Sequence, residues 1–84
     1  MFELSCDLVI RCGLTELVAG QEFNRYDSEY DALDAAHANH EPYERSNYLY
    51  SGNGISTLFI TDSAGVIWVY TIRDWGWIQP QLMA

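Results

Sequence analysis

The 84 residues carry twelve Asp and Glu against four arginines and no lysine, a formal charge of −8 at pH 7. A chain of this length folds as one domain (1–84) that buries roughly 60–65% of its unfolded surface, which leaves little room for a cofactor pocket of about 300 Å³ or more. Its sign repels the phosphates of nucleic acids and membranes and attracts basic protein surfaces, while an apolar content of 49% excludes wholesale disorder.

Phe2, Leu4, Cys6, Leu8 and Ile10 alternate with Glu3, Ser5, Asp7, Val9 and Arg11, and this period of two predicts a first strand with its even positions inward. The opening residues lack a basic n-region, so no secretory signal peptide is expected, and no apolar run approaches the ~18 residues of a membrane span. A cytoplasmic location is the expectation. Cys6 and Cys12, at the two ends of one strand, would stand roughly 20 Å apart, far beyond the ~7 Å that a disulfide tolerates; free thiols are expected. Cys12-Gly13 marks a turn, and Glu16 to Phe23 reads as a second, antiparallel strand interrupted by Gly20.

Tyr26-Asp27-Ser28 opens a helix. Asp27 or Ser28 can cap it by accepting a bond from a free first-turn amide, and Ser28 with Asp31 has the spacing of a capping box. Alanines 32, 35, 36 and 38 with Leu33 favour continuation, and Pro42 disfavours helical angles at Glu41, so the helix should stop near Asn39 or His40. Ser46 to Tyr50 is a short strand, followed by turn chemistry at Ser51-Gly52-Asn53-Gly54. Ile55 to Thr61 and Val66 to Ile72 form a hairpin across Asp62-Ser63-Ala64-Gly65, with glycine at the left-handed position. Trp75-Gly76-Trp77 and Pro80 belong to a C-terminal segment that folds back on the core. The expected fold is α+β, in ββαβββ-like order: an antiparallel sheet of four or five strands with one helix across a face.

Seven acids (Glu22, Asp27, Glu29, Asp31, Asp34, Glu41, Glu44) crowd a stretch in which Arg25 is the sole fixed positive charge. At 100° per residue Asp27, Asp31 and Asp34 share a narrow helical arc, with Ala32, Leu33 and Ala36 opposite and facing the sheet. Negative charge in the first turn complements the helix dipole by roughly 0.3–1 kcal/mol per group, which accounts for Asp27, Glu29 and Asp31. It does not account for Asp34, Glu41 or Glu44, and no Lys or Arg stands four residues on to relieve their repulsion.

Other chemistries find less support. His37 and His40 share a helix side, but a metal site needs three or four ligands, and no metal or cofactor is expected. Trp68 and Tyr70 occupy one face of the last hairpin strand, Ile67 and Val69 the other, and Tyr48 with Tyr50 forms a second same-face aromatic pair. Such ladders stack single-stranded bases only where basic residues follow the backbone, and Arg11, Arg25, Arg45 and Arg73 are scattered, so direct nucleic-acid binding is not expected. With no lysine, glycine-rich phosphate loop or nucleophile elbow, the chain does not read as an enzyme.

In its size, acidity and element order, with Tyr26-Asp27-Ser28-Glu29-Tyr30-Asp31-Ala32-Leu33-Asp34-Ala35-Ala36 as its helical portion, the chain resembles the small phage and prophage proteins that inhibit host defence, particularly anti-CRISPR proteins. The resemblance implies a non-catalytic inhibitor acting in the host cell cytoplasm, its carboxylates standing in for phosphates on the Lys/Arg-rich nucleic-acid channel of a CRISPR effector complex. Asp27, Glu29, Asp31, Asp34, Glu41 and Glu44 would supply charge, and Tyr30 and Tyr43 an aromatic anchor each. Acidic immunity proteins and antitoxins that neutralise a basic nuclease follow the same electrostatic logic. A different class of reading is a structural or assembly module that forms a homodimer through its aromatic sheet face.

Overall fold

A computed structural model describes residues 1–77, with the side chains of Glu22, Phe23, Tyr50 and Ser51 outside the description. Five strands, β1 (Phe2–Arg11), β2 (Leu14–Tyr26), β3 (Tyr43–Gly52), β4 (Ile55–Asp62) and β5 (Ile67–Asp74), and one helix, α1 (Glu29–Ala38), follow one another as β1-β2-α1-β3-β4-β5. The strands form one antiparallel sheet in the order β2-β1-β5-β4-β3. The α+β architecture and the place of the helix agree with the sequence reading.

Strand pairing extends two of the expected elements. β2 runs from Leu14 to Tyr26 rather than Glu16 to Phe23, because Gly20 (φ +39°) lies within a register shift against β1 instead of ending the strand. β3 likewise runs beyond Ser46–Tyr50 at both ends, its ladder to β4 reaching from Tyr43↔Asp62 to Gly52↔Ile55.

The inward alternation of β1 holds only to Cys6. At Asp7 the register slips against both neighbours, Cys6 pairing with Tyr70 and Leu8 with Val69, so one extra residue reverses which face the later positions meet. Val9, not Leu8 or Ile10, is buried on the helix side at 3% exposure. Leu8 and Ile10 instead fall in register with Val69 and Ile67 on the opposite face. Asp7 itself accepts a hydrogen bond from the Thr71 hydroxyl.

Directly opposed residues of an antiparallel ladder share a face. On the helix side, Leu4 aligns with Ile72 and Ser56, Cys6 with Tyr70 and Leu58, and Val9 with Trp68 and Ile60. Leu4, Cys6, Leu58, Ile60, Tyr70 and Ile72 are essentially inaccessible beneath Ala32 and Ala36 of α1. Each buried aliphatic side chain among them contributes about 1.5–3 kcal/mol. Small alanines let the helix sit close, and Leu33, Phe2, Val18, Tyr26 and Trp68 close the margins.

Both helix ends are capped. The Ser28 hydroxyl accepts the Asp31 N–H at 3.1 Å, and after Ala38 the Asn39 and His40 amides bond back to Ala35 and His37, which places the stop where Pro42 predicts it. Cys6 is buried, Cys12 is exposed at the β1–β2 turn, and both are free thiols.

The chain after β5 does fold back as far as it is described; Pro80 lies outside the described residues. Trp75 N–H donates to the Met1 carbonyl at 2.8 Å, and the Arg25 guanidinium lies 4.3 Å above the Trp75 ring. Trp77 rests on Gly54, where an added methyl would stand 2.8 Å from Trp77 Cβ, and Gly54 has φ +73°. Gly54→Ala therefore combines left-handed backbone strain with a clash, and should lower stability by about 1–3 kcal/mol. A urea midpoint within error of the parent would refute this seating of Trp77.

Candidate functional site: an acidic helix side

α1 and its flanks bring most of the expected partner-binding residues to one side of the molecule. Asp27, Asp31 and Asp34 are exposed, and Tyr30 is 79% accessible. Asp31 and Asp34, three residues apart, share one helical stripe with Tyr30 beside it. Asp27 does not extend that stripe as its spacing predicts, because Ser28 is extended (φ −132°, ψ 157°) and the helix starts after it. Beyond the C-terminus, Glu41 and Glu44 are exposed and flank Tyr43, which is 39% accessible and stacks on His37 at 4.9 Å between ring centroids. That contact ties the second acidic group to the helix. Among the described residues, Asp27, Asp31, Asp34, Glu41 and Glu44 have no ion-pair partner.

Glu29 has a different occupation. Its Oε1 accepts hydrogen bonds from the Ser56 hydroxyl at 2.6 Å and from the Tyr48 hydroxyl, and Tyr48 Oη also lies 3.1 Å from Ser56 Oγ. Ser56 is only 3% exposed, so this carboxylate satisfies a buried hydroxyl and anchors the helix start to β3 and β4. Of the acids expected to meet a partner, Glu29 is the one held by the fold. Inward alternation in Ile55-Ser56-Thr57-Leu58 marks Ser56 as a buried polar group needing a partner; nothing local identifies Glu29 as that partner.

The arginines take the other side. Register places Arg25, Glu3, Arg73 and Ile55 in one row and Arg45, Thr61, Ile67 and Ile10 in another, both on the face away from α1. Glu3 there faces Arg25 at 3.4 Å. By the same ladders Glu16 (opposite Val9) and Asp74 (opposite Phe2) fall on the helix side. Three of the four arginines thus lie across the sheet from the helical acids.

Both histidines are absorbed by aromatic contacts. His40 Nε2 is hydrogen-bonded to the Tyr70 hydroxyl, and its ring packs 4.4 Å from Trp68. Trp68 Nε1 in turn donates to Asp62 Oδ2 at 2.9 Å, while Asp62 Oδ1 accepts the Ala64 and Val66 amides at 2.9 and 3.0 Å. Among the described residues, no three His, Cys, Asp or Glu side chains gather in a metal-binding arrangement. Trp68 and Tyr70 do share a face, as expected, and that face lies under the helix: Tyr70 is fully buried. A second copy therefore has no access to an aromatic surface built on Tyr70.

Burial holds the His40 pKa below its ordinary 6.5, against an opposing pull from Asp62; burial also pushes the Tyr70 hydroxyl up. For a histidine with a depressed folded pKa, the unfolded chain takes up the proton first, so stability falls as pH drops below about 6.5 toward the folded value. The urea midpoint should decline between pH 7.5 and 5, and His40→Phe should flatten that decline. An unchanged slope in the variant would exclude His40 as its source.

Comparison with protein-family models, with curated proteins and with solved structures gives no match to this chain. Among the described residues, no helix is long and apolar enough to cross a membrane.

Proposed function

We propose that this protein is a non-catalytic inhibitor whose acidic helix side occupies a cationic, nucleic-acid-binding surface of a protein complex and so blocks access of the nucleic acid. The observation that carries the reading is the segregation of charge: carboxylates along α1 and its flanks that are exposed and, among the described residues, without an ion-pair partner, with most of the arginines on the far face of the sheet. Unrelieved like charge opposes folding, and on this reading its use is in binding. The contact surface comprises Asp27, Tyr30, Asp31, Asp34, Glu41, Tyr43 and Glu44, with Glu29 positioning the helix from behind.

The spacing supports mimicry of a strand backbone. Asp31 to Asp34 spans about 4.5 Å of helix axis, on the scale of the ~3.4 Å between phosphates of a DNA strand. A CRISPR effector complex in the cytoplasm of a phage-infected cell is the partner to which this chemistry is best suited. A basic nuclease, neutralised as immunity proteins and antitoxins do, offers a similar surface.

The test measures displacement of labelled DNA from a purified, Lys/Arg-lined effector complex by this protein, over a range of salt. Competition that weakens as salt rises, and weakens further with Asp31→Asn and Asp34→Asn, is the expected result, since exposed charges are screened over about 8–10 Å near physiological ionic strength. Displacement unaffected by those substitutions would overturn the proposed face. Failure against CRISPR effectors with success against a basic nuclease would move the partner without moving the surface.

A further inference from the structure

The sheet face away from α1 has no part in the proposed inhibition, yet it is apolar at its centre. Leu17, Leu8, Val69 and Phe59 form one row across four strands, and Ile10 and Ile67 stand beside them in the next. Leu17 is 86% exposed and Leu49, on the same face at β3, is 56% exposed. Val69 at the centre of the row is only 8% exposed and Leu8, Ile10, Phe59 and Ile67 are half-buried, while the buried cluster beneath α1 draws on the opposite rows. Contiguous apolar patches of more than a few hundred Å² are rare on soluble monomers and mark contact surfaces.

We infer that this face is a self-association surface, on which a second copy of the chain packs sheet against sheet. Area and charge both favour that occupant. Five strands about 4.8 Å apart, each presenting four outward residues about 6.8 Å apart, make a face of roughly 600 Å² in projection. Side-chain relief raises that toward the ~800 Å² per partner of a standard interface.

Two chains of charge −8 repel each other, so their approach is limited to surfaces where that charge is locally offset. The open face carries Arg25, Arg45 and Arg73, with Glu3 facing Arg25 and Asp7 bonded to Thr71. Sheets packed face to face lie about 10 Å apart, which leaves the two acidic helix sides pointing outward, roughly 30 Å apart and beyond three Debye lengths at physiological salt. Any docking through α1 would press those carboxylates together. The arrangement is isologous, the same patch serving both copies, and it leaves two acidic faces free.

Sedimentation equilibrium from about 1 µM to 0.5 mM tests the inference on the full chain. A dimer is expected that tightens as salt rises, because screening relieves repulsion; this is opposite to the salt response of the proposed inhibition. Leu17→Glu and Leu49→Glu, at positions already exposed, should each weaken it at least tenfold. Thr57→Arg, which puts a charge on β4 in the same face, should abolish it, with thermal melts showing that each variant still folds. Asp31→Asn with Asp34→Asn should leave the dimer intact. A monomer throughout the range, or a dimer indifferent to the three open-face variants, would overturn the inference. So would a dimer lost on changing Asp31 and Asp34, since that would place the contact on the helix side.

Discussion

Asp62→Ala should cost about 3 kcal/mol, because this one carboxylate organises the β4–β5 hairpin and fixes Trp68. Its two oxygens accept the Ala64 and Val66 amides and the Trp68 indole N–H. The backbone bonds Asp62 N to Val66 O at 2.9 Å and Gly65 N to Asp62 O at 3.0 Å close the turn around it. Trp68 in turn supports the His40 ring beside Tyr70, so the loss reaches the margin of the core. A domain of this size has roughly 4–12 kcal/mol of stability in all, and the variant should unfold at a far lower urea concentration. Asp62→Asn, which keeps an acceptor but not the charge, should fall between the two. The three hydrogen bonds, Trp68 first, also hold the Asp62 pKa below the ordinary carboxylate value. Its contribution is therefore present above about pH 3.8 and is lost as pH falls through the folded value. An Asp62→Ala midpoint close to the parent's would show that the turn does not depend on this carboxylate.

Changing Asp27, Asp31 and Asp34 together to lysine should have the largest effect on binding and a small one on stability. Each change swings the charge by two units, taking the formal net charge from −8 to −2. Three attractions of about 1 kcal/mol each become repulsions at a cationic partner surface, so affinity should fall by roughly a thousandfold or more, and its salt dependence should flatten or reverse. On the stability side, Asp31 loses about 0.3–1 kcal/mol of dipole interaction at the helix start, while Asp34 gives up repulsion with its neighbours. These contributions oppose one another, and the melt should stay within about 1 kcal/mol of the parent. Glu29→Gln is the contrasting variant. It should weaken the bonds to Ser56 and Tyr48 and destabilise the fold, with its effect on affinity following from the shifted helix. Lysine variants that retain full affinity would remove the acidic helix side from any role in binding.

Several features of the fold are legible locally. Ser28 and Pro42 bracket α1 because a free amide seeks a hydroxyl and a proline excludes the helical angles before it. Asp62 to Gly65 is readable as a hairpin turn, although glycine alone draws the eye and the carboxylate does as much. The Asp7 bulge is not legible. Phe2 to Asp7 alternates, but Leu8-Val9-Ile10 is apolar at three successive positions and leaves the inward face open; the slip is visible only against Tyr70 and Val69 of β5, more than sixty residues away. The consequence is large, since it moves Leu8 and Ile10 from the expected core to the open face and so creates the patch argued above to hold a second copy.

The candidate site divides along the same line. Asp31 and Asp34 follow from helical periodicity, a property of successive residues; Asp27 does not, because Ser28 is extended and the helix starts after it. Glu29 belongs to the same stretch yet is claimed by Ser56 and Tyr48 across the sheet, a contact that no local pattern encodes. Trp68 and Tyr70 are readable as sharing a face, but which face the helix covers depends on where α1 packs.

By itself, the sequence determined the sign of the field, the kinds and order of the elements, and the acidic stripe, because charge, capping and periodicity act between near neighbours. The tertiary structure alone decided which side of the sheet is core, that the arginines lie across from the helical acids, and that Glu29 serves the fold. Those outcomes depend on strand register, and register is set by pairing between residues far apart in the chain.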